Sequence, residues 1–148
     1  MEGTAHLKRA FAGLLAIGTL APALVVAVPP SASAACGRSN IATGDGYLVN
    51  KSSHYHGGVV TKPSGTTCND LNLTKATDNS TGWDSYAGTL YHSSSGLWQV
   101  CDAGYIGKSD FTATSSAQWV VLCTSVSVGT KMSVLSGYDY PDQVQIAY

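Results

Sequence analysis

The sequence predicts an all-β domain, a small barrel or sandwich of short antiparallel strands stapled by two disulfides. Three observations carry this. Beyond residue 34 the chain holds eight Asp, no Glu and only six Lys or Arg, a composition poor in the residues surface helices favour. Ser and Thr make up 28 of those 114 residues and Tyr is abundant, which suits exposed strands and turns. Short apolar or alternating runs recur between Gly- and Ser-rich turns, with no convincing helical period.

Gly46 to Asn50 and Gly58 to Lys62 are short β-branched or aromatic stretches. Leu71-Asn72-Leu73-Thr74 alternates. Ser85 to His92 and Leu97 to Cys101 flank Ser93-Ser94-Ser95-Gly96, a hairpin turn. Gln118 to Thr124 is dense in apolar residues and reads as a central strand. Lys131 to Ser136 follows a Gly129-Thr130 turn. At the end, Val144, Ile146 and Tyr148 alternate with Gln143, Gln145 and Ala147, as a half-buried strand should. Eight or nine such strands make one domain over 35–148, with a polar stretch at 77–82 as the one place for a sub-boundary.

The first 34 residues stand apart. Lys8 and Arg9 precede an apolar run from Phe11 to Val28, broken by Pro22 and closed by Pro29-Pro30. Ala32-Ser33-Ala34 follows, the small-x-small pattern of a signal-peptidase site. The expected product is a secreted, extracellular chain beginning at Ala35 and free of the membrane. A retained anchor and a lipid on Cys36 are the alternatives; the second leaves an odd number of thiols.

Four cysteines, Cys36, Cys68, Cys101 and Cys123, read as a disulfide framework in a small exported domain. No Cys-x-x-Cys is present, which argues against a zinc or redox pair. Three connectivities are open. Cys36–Cys68 with Cys101–Cys123 is favoured because each closes a local loop.

The excess of Asp over basic residues argues against nucleic acid as a partner, which needs a dense basic surface. His54 and His56 share a face if extended and are weak candidates for a metal; the plainer reading is a polar loop, with no metal and no cofactor. No Gly-x-Ser-x-Gly elbow is present, and nothing singles out Asp84 or Asp102 as a catalytic acid, so no catalytic residue is assigned. Aromatic residues are the better lead. Trp83 lies in a Gly- and Asp-rich loop, Tyr86 follows three residues on, and Tyr91 lies on the strand after. They are the ligand-binding candidates, because exposed rings stack on sugars or anchor a protein partner. Trp98 and Trp119 read as core. Asn50, Asn72 and Asn79 begin glycosylation triplets, discounted because the leader is bacterial in style.

From Gly96 on, and above all over Trp119 to Ser136 and Gln143 to Tyr148, the chain resembles the second half of a bacterial SH3-type domain, with its Gly-Thr turn, Val-rich strand and closing strand. The whole chain also resembles small, Cys-paired secreted proteins of actinobacteria. The resemblance implies a non-catalytic module at the cell envelope that binds wall glycan or peptide. The expected partner is thus a cell-wall glycan or peptide, or an extracellular protein. An inhibitor of an extracellular hydrolase is the second expectation.

Overall fold

The computed structural model describes residues 35–46, 56–138 and 141–148. The leader, His54 and most of the run expected over Gly46 to Asn50 lie outside the described residues. All described residues fall in one compact unit, Ala32–Tyr148.

The domain is two packed sheets. The first has the order β1 (Arg38–Ala42), β11 (Gln143–Ala147), β4 (Leu71–Thr77), with β8 (Phe111–Thr112) and β9 (Val120–Cys123) both on the far side of β4. The second has β10 (Lys131–Ser136) beside β5 (Trp83–His92). β2 (Gly44–Asp45) and β3 (Val60–Thr61) flank β10, while β6 (Leu97–Val100) and β7 (Ile106–Ser109) follow one another along the other side of β5. All pairs are antiparallel except β2 with β10, which run parallel. Residues 78–82 carry the chain from the first sheet into the second.

Alternation decides which side chains meet between the sheets. Tyr86 of β5, Met132 and Val134 of β10, Leu122 of β9, and Val144 and Ile146 of β11 are buried in one apolar core. In β4 the alternation of Leu71 and Leu73 slips at Thr74, where β11 pairs Gln145 with Lys75 and then Ile146 with Leu73. This bulge lets Leu73 and Ala76 both face the core, three residues apart. The run Gln118 to Thr124 is an edge strand and not a central one, because β9 pairs only with β4 and a 3-10 turn (Ser116–Gln118) precedes it. None of the strands after Gly96 pairs with another of them; each pairs with β1 to β5.

Both favoured disulfides form, with Cα–Cα separations of 5.2 Å for Cys36–Cys68 and 5.4 Å for Cys101–Cys123. The first ties the chain before β1 to the chain before β4, the two strands that flank β11. The second joins the end of β6 to the end of β9, and so pins one sheet to the other. A Cβ at Gly88 would lie 2.5 Å from Cys123 Sγ, so the close approach of β5 to this bridge requires glycine there. Disulfides of this kind are usual in oxidising compartments. Among the described residues no helix is long and apolar enough to cross a membrane.

Candidate ligand-binding face

β5 is ten residues long, and its odd positions, Trp83, Ser85, Ala87, Thr89 and Tyr91, lie on the face opposite Tyr86, with Ala87 and Thr89 buried there. Register extends this outer face. Tyr91 lies opposite Trp98, Thr89 opposite Val100, and Ser85 opposite Gly107. On the other side, β10 sets Ser133 opposite Thr89 and Leu135 opposite Ala87. Ser133 is buried although it faces outward, and its hydroxyl donates to the Gly58 carbonyl at 3.0 Å. The open part of the face therefore runs along β6 and β7.

Among the described residues three groups of rings stand on it. At one end Trp83, 45% exposed, packs its ring 5.3 Å from that of Tyr138, which is 70% exposed. The indole lies over Gly107, where a Cβ would come within 2.7 Å of Trp83 Cζ2, so the ring needs glycine beneath it. Between the ends is Tyr105, next to the Ile106 that pairs with Tyr86, its ring beside Gly137 and its hydroxyl donating to the Gly46 carbonyl at 3.0 Å. At the other end the Trp98 ring lies 4.7 Å from His56 and 5.5 Å from Tyr91, and Lys131 Nζ sits 5.4 Å above Tyr91. A cleft of about 570 Å³ opens between the middle and this end, lined by Tyr105, Trp98, Leu97, Val100, His92 and Gly46. Burial raises the Tyr105 hydroxyl above its usual range, with the Asp45 and Asp84 charges adding to it, so it stays a donor at neutral pH.

Buried carboxylates fix the first group. Asp78 accepts from the amides of Ser80, Thr81 and Trp83 at 2.8–3.0 Å and from the Thr81 hydroxyl at 2.8 Å. Burial pushes its carboxyl up, but these donors together prevail and hold it at about 2. Asp84, wholly buried, accepts from the Ser136 hydroxyl at 2.7 Å and the Tyr138 amide at 3.0 Å. Asp142 accepts from the Tyr86 hydroxyl at 3.0 Å and the Asn79 amide at 3.1 Å. Its burial, and behind that the charges of Asp78 and Asp84, push it up to about 6 against the pull of those two donors.

Of the expected ligand-binding residues, Trp83 is an exposed ring on this face. Tyr86 is not available to a ligand: it is 1% exposed, in the core, with its hydroxyl spent on Asp142. Tyr91 is on the same strand as Trp83, eight residues along. At about 3.3 Å per residue the two are about 26 Å apart, so they belong to different groups and form no single patch. Sequence reasoning placed Trp98 in the core, whereas register turns it outward. Trp119 is outward too, on the opposite sheet, with Arg38 5.3 Å above its ring. His56 is a ring partner of Trp98. Among the described residues no group of three His, Cys, Asp or Glu side chains is spaced to hold a metal. Asp102 is exposed and Asp84 is buried, so the two share no site.

Comparison with known proteins adds no relative: no family model, no curated protein and no solved structure matches the chain.

Proposed function

We propose that this is a secreted, non-catalytic binding module that holds an extracellular glycan at the cell envelope. The observation that carries it is the group of Trp98, Tyr91 and His56 at the mouth of the Tyr105 cleft. Rings offer large contact area with few rotatable bonds, and ring faces match the apolar faces of pyranose sugars. Lys131 is the one charged side chain among the outward positions of β5, β6, β7 and β10, so affinity here comes from stacking and hydroxyl contacts and owes little to ion pairs. The signal-like leader and the two disulfides support export. The test is co-sedimentation with purified peptidoglycan and with insoluble polysaccharides. The wild-type protein is expected in the pellet and Trp98→Ala in the supernatant. Wild-type protein that stays in the supernatant with every polymer refutes the reading.

A second reading, inhibition of an extracellular hydrolase, has its own observation. The loop after Cys123 presents Val128, 60% exposed, and is braced from below. Lys62 Nζ donates to the Val126 carbonyl at 2.6 Å, the Gly129 amide donates to the Lys62 carbonyl at 2.8 Å, and the Val126 amide donates to Asn69. A braced, exposed loop is what an inhibitor offers a protease. Stoichiometric inhibition lost on Val128→Asp would favour this reading over the first.

A further inference from the structure

We infer, on the basis of the glycan reading above, that the ligand is an extended polysaccharide chain bound along its length across three ring stations, and that no single terminal sugar is the recognised unit. The stations are Trp83 with Tyr138, then Tyr105, then Trp98 with Tyr91 and His56.

Their placement is linear. Trp83 and Tyr91 face the same side of one strand, eight residues apart, and the Tyr105 ring lies between them, beside Gly137 and Gly46. At the rise of a β-strand the row from Trp83 to Tyr91 is about 26 Å long. One sugar covers one ring, so two of the three stations would be idle with a monosaccharide. Among the described residues both ends of the row are exposed: Tyr138 is 70% exposed at one and Leu97, next to Trp98, is 42% exposed at the other. A pocket for a chain end would be closed on one side. Between the stations lies the Tyr105 cleft, with the hydroxyls of Ser85, Ser95 and Ser109 alongside. The charges agree. A polyanion would need a row of basic groups, and among the described residues the row has Lys131 alone, at one end. A neutral chain is the complement.

The first station is anchored through its backbone. Asp78 accepts the Trp83 amide and Asp84 the Tyr138 amide, so both ring-bearing backbones are bonded to buried carboxylates. This fixes the distance from Trp83 to the Trp98 group and so sets the length of chain the face reads. Stations on one rigid strand act as linked sites, and each added station raises affinity without a new freedom to lose.

Titration calorimetry with saccharide series from disaccharide to hexasaccharide tests this. The series are β-linked N-acetylglucosamine, glucose and mannose oligomers, and glycan strands released from peptidoglycan. For the series that binds, affinity is expected to rise tenfold or more from disaccharide to hexasaccharide. Trp83→Ala and, separately, Tyr138→Ala should remove that gain. Trp98→Ala should weaken every length. Tyr138→Ala guards against a folding effect, since that ring is the most exposed on the face. Affinity that is the same for all lengths, or a length gain untouched by both variants, overturns the extended-chain inference and leaves the glycan reading standing. No binding in any series, or binding only of peptide stems, overturns both.

Discussion

The backbone amide of Tyr138 donates to the buried carboxylate of Asp84 at 3.0 Å, one residue along β5 from the Trp83 ring on which Tyr138 packs. The two aromatic residues thus share a support on the core side of the sheet. Asp84→Ala removes the buried carboxylate that accepts from this amide and from the Ser136 hydroxyl. A loss of about 2–4 kcal/mol in unfolding free energy is expected, as for other broken buried polar networks. Asp84→Asn keeps an acceptor and should lose less. Denaturant unfolding of both variants measures the difference.

Stability should depend on pH through Asp142 and Asp78 in opposite senses. The Asp142 carboxyl is raised from 3.8 to about 6 in the folded chain, so the folded state holds its proton more tightly than the unfolded state does. Stability is then highest below the unfolded value and falls as pH rises through about 4 to 6, by about 2–3 kcal/mol. Asp78 is lowered to about 2, so its contribution is present above about pH 4 and is lost as pH falls towards 2. A Tm maximum between the two, near pH 4, is the expected outcome. Asp142→Asn keeps an acceptor for the Asn79 amide and should abolish the fall between pH 4 and 6 while leaving the acid limb in place.

Each disulfide should be worth about 3–4 kcal/mol on the chain-entropy account, the spans being 32 and 22 residues. Their consequences differ. Cys101–Cys123 joins the two sheets, so replacing it with a pair of Ala should loosen the edge where β6 carries Trp98. Cys36–Cys68 lies at the first sheet alone, and its removal should lower Tm and leave the ring face intact. Hydrogen exchange on β6 amides in each double variant distinguishes them, and intact mass of the native protein should show no free thiol.

Truncating Trp83 should scarcely affect folding, since 45% of the residue is exposed and no Trp belongs to the core. Trp83→Ala is expected to weaken binding by about 1–2 kcal/mol, the usual scale for an aromatic anchor. Gly107→Val tests the same ring from below. Its side chain would displace the indole, and a comparable loss of affinity with Tm little changed is expected. A large fall in Tm for Trp83→Ala would instead make this ring structural.

Much of the frame could be read from short-range signals. The Ser93 to Gly96 turn forms, with the Gly96 amide donating to the His92 carbonyl at 2.8 Å and Gly96 at φ +69°. The alternation from Val144 to Tyr148 does bury those three side chains, and the local cysteine pairing is the one observed. What failed depends on partners far along the chain. Tyr86 looked like a surface ring because its acceptor, Asp142, is 56 residues away. Trp98 looked like core because only its register with Tyr91 shows which way it points. The apolar run over Gln118 to Thr124 looked central, yet among the described residues its strand pairs with β4 alone. The parallel pairing of β2 with β10 left no sequence signal, since two residues carry no period.

The central claim, that ligand lies on the outer face of the second sheet, is tested most directly by the three indole N–H signals of the ¹⁵N-labelled protein. Trp98 and Trp83 are on that face and Trp119 is on the opposite sheet, so the molecule carries its own control. On addition of the bound polysaccharide the Trp98 and Trp83 signals should shift or broaden and the Trp119 signal should stay in place. A shift confined to Trp119, or binding with all three signals unmoved, would contradict the account.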